Sequence, residues 1–430
     1  MTQPLKIGIA GLGTVGAGEL KLLAEHGRLL ALRGGRPLKL VAVSARSKAK
    51  KRDIDLSRVR WERDPMALAT ASDIDVVIEL IGGSGGVARK LVQTALRHGK
   101  HVITANKALL AHHGAELAAL AEKKGCSLAF EAAVAGGIPV IKALREGLVG
   151  NRVSRLYGIL NGTCNYILTT MRETGRDFGA VLAEAQAAGY AEADPTFDVD
   201  GIDAAHKLAV LTGAAFGTKV NFAGVHVEGI RRVTAADIQF AEELGYRIKL
   251  LGLARRTPYG IEQRVHPCMV SLKAPIAHIE GVFNAVVVEG DFVGTTMFQG
   301  RGAGQGPTAS AVVADLVDVA RGHVMPAFVV PAARLTETKV SPMGRHVGAY
   351  YMRLMVQDRP GVIAAISGIL AKDRISVEGM LQRGRSQSGE VPVVITTHET
   401  EEAAMQRAVA RIAKLKAVAE EPCIIRIEQF

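Results

Sequence analysis

Cysteine and aromatic residues are scarce in this chain. Four cysteines (Cys126, Cys164, Cys268 and Cys423) are scattered through 430 residues without metal or disulfide spacing. That excludes a disulfide framework and a thiolate-bound metal, and fits a reducing cytoplasm. Aromatics amount to 4%, and the basic residues behind a formal charge of +11 are spread along the chain. Without a basic cluster or stacking aromatics no nucleic-acid partner is expected, whereas a positive field suits anionic small molecules. No apolar run approaches the ~20 residues that span a bilayer, so no membrane partner is expected. A strand-like run, Leu5–Ala10, begins almost at once and leaves no room for a signal peptide. Low-complexity tracts are missing, and a hydrophobic content of 48% fits a globular protein. A chain of this length implies two or three domains.

Glycine is where the sequence becomes specific. Gly11-Leu12-Gly13-Thr14-Val15-Gly16 follows the buried strand directly, and a helical stretch runs from Ala17 to about Leu30. Strand, GxGxxG and helix in that order are the context of a dinucleotide-binding fold. Gly11 and Gly13 permit the tight turn and the approach of a pyrophosphate, and Gly16 lets the helix pack on the strand. The phosphates then meet free N–H groups near Thr14 and Val15. The next strand, Leu38–Val43, ends at Ser44 where NAD-binding chains carry an acidic residue, and Arg46, Lys48, Lys50, Lys51 and Arg52 follow. With no carboxylate to repel a 2′-phosphate and Arg46 placed to meet one, NADP(H) is the preferred cofactor, with NAD(H) possible. A solvated basic loop is the alternative. Two more strands, Ile74–Ile81 and His101–Thr104, run into Gly82-Gly83 and Ala105-Asn106-Lys107. Ligands bind beyond such strand ends, which brings Gly83 and Lys107 to the cofactor.

Ala185–Lys207 sets five acidic residues and one lysine around a loop entering a helix. Asp194-Pro195 is a turn signal, and Asp200 is expected to cap the new helix, opened by Gly201. Asp203 and Lys207, four apart, share a helix face. Such a pair is ordinarily solvated; beside further carboxylates it could deliver a proton to an oxygen gaining charge. The arrangement of Ala185, Gly189-Tyr190-Ala191, Asp194-Pro195, Asp198-Val199, Gly201, Asp203 and Lys207 resembles the signature segment of homoserine dehydrogenases. Thr104-Ala105-Asn106-Lys107 is similar to the family's T-x-N-K segment, whose lysine lies between nicotinamide and substrate.

The resemblance covers nearly the whole chain, without the aspartokinase domain of bifunctional relatives. It implies reversible reduction of L-aspartate 4-semialdehyde to L-homoserine, serving threonine, methionine and isoleucine synthesis. Lys207 would donate the proton, Asp203 would hold it or a bound water, and Lys107 would lie across the substrate. Glu192 would bind the substrate ammonium, Asp198 would support it or a neighbouring residue, and Gly162 and Thr163 would contact the substrate. Gly304, in the loop Gln299–Thr308, would return to the cofactor ahead of a helix, Ala309–Ala320. Carbonyls of Glu131, Val134, Gly136 and Ile138 would hold a monovalent cation such as Na+; a structural turn without an ion is the alternative.

From Ala349 the pattern is strand, helix, strand, strand, helix, strand, a ferredoxin-like βαββαβ unit. Its loop Asp358-Arg359-Pro360-Gly361-Val362 resembles ACT domains, which pair and bind amino acids. That implies threonine as effector and a homodimer or homotetramer; a purely structural role is the alternative. The fold class is therefore α/β. A Rossmann-type dinucleotide-binding domain spans 1–135, completed by 301–330, and an α+β substrate and dimerisation domain spans 136–300. A linker over 331–348 leads to an ACT regulatory domain over 349–430. Two competing readings remain open. An aspartate-semialdehyde dehydrogenase would need a nucleophilic cysteine, for which only Cys126 and Cys164 are placed. An amino-acid sensor would keep the ACT unit and an inert dehydrogenase half.

Overall fold

Six parallel strands build the first sheet: β1 (Leu5–Ala10), β2 (Leu38–Ser44), β3 (Arg60–Glu62), β4 (Val76–Glu79), β5 (His101–Thr104) and β6 (Leu128–Ala129). Their spatial order is β3-β2-β1-β4-β5-β6, so the chain reverses direction between β1 and β4. That switch point opens a crevice beyond the strand ends. The computed structural model describes residues 3–48, 55–337, 339–382 and 389–430. Lys50, Lys51 and Arg52 of the basic run lie outside the described residues.

The helix after β1 spans Thr14–Gly34, longer at both ends than its apolar periodicity suggests. Its partner is Gln305–Ala320, which starts four residues earlier than expected because Pro307 falls in the first turn, where no N–H is needed. A Cβ on Gly18 would lie 2.6 Å from the Gln305 carbonyl oxygen, so this glycine allows the two helices to touch. The returning segment is thereby packed on the first domain. The strand read over 74–81 shortens to β4, since the backbone turns at Gly82 and Gly83, both at positive φ.

The second sheet joins two units. Strands β7 (Val153–Ile159), β8 (His226–Val227), β9 (Tyr246–Thr257), β10 (Gly260–Ser271), β11 (Phe283–Gly290) and β12 (Gly294–Arg301) form one half. The other half comprises β13 (Val347–Gln357), β14 (Val377–Gln382), β15 (Glu390–Thr397), β16 (Thr400–Glu401) and β17 (Cys423–Glu428). The main path is β12-β11-β7-β9-β10-β17-β13-β15-β14, with β8 on β10 and β16 on β13. Its last four strands, with helices Val362–Lys372 and Glu402–Ile412, are the ferredoxin-like unit in the order fourth, first, third, second. This sheet is not purely antiparallel: β8 and β17 both pair with β10 in parallel. The seam is short, Cys268 to Arg426 through Val270 to Glu428, and buried ions reinforce it. Arg264 binds Glu262 and Glu428, while Arg426 binds Glu402 and Glu228. Among the described residues no helix is long and apolar enough to cross a membrane.

Candidate active site

Three caps place the reactive side chains. Asn106 accepts from Leu109 N–H at 3.0 Å, which starts the helix Lys107–Lys123 and sets Lys107 in its first turn. Asn161 accepts from Cys164 N–H at 2.8 Å and starts Gly162–Thr174. The helix Ile202–Phe216 begins differently from expectation. Gly201, at φ 83°, occupies the cap position, and Asp200 turns away to pair with Arg231. A residue with a side chain would be strained at that φ. The turn leaves Asp203 and Lys207 one helical turn apart on a buried face.

Asp203 is the hub. Its Oδ2 accepts from Lys207 at 2.7 Å and its Oδ1 pairs with Lys107 at 3.0 Å. Lys207 also donates to the Leu160 carbonyl at 2.8 Å. Burial alone would raise Asp203, but the two ammonium groups and their hydrogen bonds hold it well below the usual carboxylate range. Asp198, joined to Asn161 at 2.7 Å, is pushed up by burial, against the pull of that hydrogen bond. Lys107 lies under the Phe197 ring at 5.8 Å, so an aromatic face screens the more open of the two lysines. His206 stacks on Phe222 at 4.2 Å, and burial lowers its pKa to about 4, which makes it a packed neutral ring.

The glycine motif behaves as three different residues. A Cβ on Gly11 would meet the Leu80 carbonyl at 2.4 Å, and one on Gly16 would meet the Gly11 carbonyl at 2.3 Å. A Cβ on Gly13 would meet nothing within 4 Å among the described residues, so this position faces open space. A cavity of about 230 Å³ lies there, lined by Gly13–Gly16, Leu80–Gly82, Ala105 and Asn106. Glu79, which the sequence reading missed, holds the far wall: it accepts from Ile81 N–H (2.7 Å), Gly82 N–H (3.0 Å) and the Thr104 hydroxyl (2.6 Å). Asn106 donates to the Gly83 carbonyl at 2.8 Å and ties that wall to Lys107. A carboxylate ending the apolar run Val76-Val77-Ile78 was the available signal. A dinucleotide fits these features: open glycine backbone, a helix start and a crevice at the switch point.

Other expected residues are placed less centrally. The Thr163 hydroxyl donates to the Tyr190 carbonyl at 2.8 Å. Glu192 is exposed on its loop, and its carbonyl accepts from Gln186 at 3.0 Å. Arg46 is exposed just past β2, and Gly304 caps Gln305–Ala320. In the 131–138 loop Ala135 and Gly136 have positive φ, which turns successive carbonyls. The carbonyls of Glu131 and Ile138 accept from Val134 N–H (3.4 Å) and Val140 N–H (2.8 Å), each keeping a second lone pair. Neutral carbonyls suit a hard monovalent cation. The Glu131 carboxylate serves elsewhere, accepting from Ile141 and Lys142 N–H groups, and burial raises its pKa to about 7.

Neither cysteine offered for thioester chemistry is activated. Cys164 is buried with its thiol pushed well above its ordinary value by burial and by Asp198, and Cys126 is raised by burial. Among the described residues one trio has metal-ligand spacing, His266, Cys268 and Glu428. Arg264 already binds both His266 and Glu428, so the trio is part of the ion network at the seam.

Residues 139–317 match the family described as Homoserine dehydrogenase, residues 11–131 its NAD binding domain, and residues 350–417 the ACT domain. The homoserine dehydrogenase of Pseudomonas aeruginosa is 48% identical, with all of both chains covered. A solved homoserine dehydrogenase from Thiobacillus denitrificans superposes with a TM-score of 0.94 at 47% identity, covering 99% of each chain. A hyperthermophilic archaeal homoserine dehydrogenase in complex with NADPH covers 75% of this chain and is itself covered in full, at 26% identity and a TM-score of 0.65.

Proposed function

The chain belongs to the homoserine dehydrogenase family, oxidoreductases acting on a CH–OH group, and from that premise we propose that it reduces L-aspartate 4-semialdehyde reversibly to L-homoserine, for threonine, methionine and isoleucine synthesis. The observation that carries this reading is one carboxylate, Asp203, shared between Lys207 at 2.7 Å and Lys107 at 3.0 Å. A nicotinamide cofactor, when bound, supplies or accepts the hydride at the substrate carbon. Lys207 gives its proton to the aldehyde oxygen as charge gathers there, and takes it back in the oxidation. Asp203 keeps both ammonium groups aimed, and Lys107, beside the glycine-lined crevice, adds positive charge from the cofactor side. Gly162 and Thr163 contact the substrate, Glu192 binds its ammonium and Asp198 supports that contact. Gly11, Gly13, Thr14, Val15, Gly16, Gly83 and Gly304 hold the dinucleotide. The carbonyls of Glu131, Val134, Gly136 and Ile138 are the place for a Na+ ion.

Arg46, exposed beyond a strand that ends in Ser44, supports NADP(H) over NAD(H). The test is reduction of each cofactor on addition of L-homoserine. The wild type is expected to favour NADP, and Arg46→Ala to lose that preference; a wild type that favours NAD would contradict the argument. Gly13→Ala should leave the unliganded melting temperature unchanged, since its Cβ would meet nothing within 4 Å among the described residues. Its KM for the dinucleotide should rise about tenfold, equivalent to ~1.4 kcal/mol. An unchanged KM would place the pyrophosphate elsewhere.

The ACT unit supports regulation by threonine. Arg426 of β17 binds Glu228 at 2.8 Å, and Ile230 N–H, two residues on, bonds the Val199 carbonyl at 2.9 Å. Arg231 then pairs with Asp200, three residues before Asp203. L-Threonine added to the turnover assay should inhibit, and indifference to it would leave the unit structural. Phe292, 90% exposed beside the edge strand β12, supports self-association as a dimer or tetramer.

A further inference from the structure

Asn161 is buried and carries two duties at once. Its Oδ1 caps a helix by accepting from Cys164 N–H at 2.8 Å. Its Nδ2 donates to Asp198 Oδ1 at 2.7 Å and to Asp203 Oδ2 at 3.0 Å. A primary amide has two N–H hydrogens, so one goes to each carboxylate. The residue before it, Leu160, gives its carbonyl to Lys207 at 2.8 Å.

The consequence is geometric. Asp203 Oδ2 receives both Lys207 and Asn161, which leaves Oδ1 free for Lys107 at 3.0 Å. The amide thereby fixes the carboxylate rotation that divides its two oxygens between the two lysines. It also sets a donor between the Asp198 and Asp203 carboxylates. Serine, threonine or aspartate would cap the helix as well, but none supplies two donors alongside the capping acceptor.

We propose that Asn161 is a positioning residue for the dehydrogenase reaction: its amide bridges Asp198 and Asp203 and so holds Lys207 and Lys107 on opposite oxygens of one carboxylate. This rests on the dehydrogenase reading above.

Asn161→Ser keeps a capping oxygen and removes the bridge. Its melting temperature should stay near that of the wild type while kcat falls about 10- to 100-fold, the range for hydrogen bonds to charged groups. KM for L-homoserine should move far less. The acid limb of kcat should shift to higher pH, because both carboxylates lose a donor that favours their charged form. Asn161→Asp also keeps the cap, and its new carboxyl can donate only when protonated. Its activity relative to wild type should therefore recover toward acid pH, which a purely structural role would not produce. A wild-type kcat and acid limb in Asn161→Ser, or losses that follow only a falling melting temperature in Asn161→Ser, Asn161→Asp and Asn161→Ala, would reduce Asn161 to a helix cap. Failure of the wild type to turn over L-homoserine would instead overturn the dehydrogenase reading.

Discussion

Replacing Lys207 by methionine should lower kcat by about 10²- to 10⁴-fold, the contribution of a positioned proton donor. Methionine keeps the packed stem and removes the ammonium. Asp203 retains Lys107 at 3.0 Å and Asn161 at 3.0 Å, so its charge stays compensated and the fold should survive. The expected signature is a large fall in kcat, a modest change in KM and a melting temperature close to wild type. Unchanged turnover in a folded variant would remove Lys207 from the chemistry.

The second large effect concerns stability and lies away from the site. Glu19, on the helix Thr14–Gly34, is fully buried, and neither carboxyl oxygen has a hydrogen-bond partner among the described residues. Burial raises its pKa to about 8. In the unfolded chain a glutamate titrates near ~4.3, so between these values the folded state holds a proton that the unfolded state has lost. Stability is therefore greatest below about pH 4 as far as this group is concerned, and falls as pH rises toward 8. At ~1.4 kcal/mol per unit, the loss amounts to roughly 3–5 kcal/mol. Glu19→Met, similar in length and apolar, should raise the melting temperature, by more at pH 8 than at pH 5. An equal or lower melting temperature at pH 8 would show that the carboxyl finds a partner.

The contrast between these two residues shows what was legible in the sequence. Asp203 and Lys207 could be read because helical spacing is local, and the GxGxxG motif because each glycine has a steric reason next to a strand. The ferredoxin-like unit was legible from its alternating periodicities. Lys107 meeting Asp203 could be expected only through resemblance, since nothing local relates a first-domain helix to a second-domain one. Asn161 and Asn106 were not singled out as caps, and their second bonds, to Asp198 and Asp203 and to Gly83, depend on tertiary packing. Asp200 was misplaced because a left-handed Gly201 can start a helix without a side-chain cap. The pairing of β10 with β17 was invisible because an edge strand carries no mark of its eventual partner. Glu19 sits among apolar residues on a helix with a buried face, where a carboxylate reads as solvent-facing.

The central claim is that hydride passes directly between the substrate carbon and a nicotinamide cofactor at the Lys107–Asp203–Lys207 cluster. L-Homoserine carrying deuterium on its hydroxyl-bearing carbon tests it, with the reduced cofactor analysed by mass spectrometry. The account predicts one deuterium gained per cofactor reduced by the wild type, and almost no labelled cofactor from Lys207→Met over the same interval. Reduced cofactor without deuterium, or labelling that is indifferent to Lys207, would contradict it.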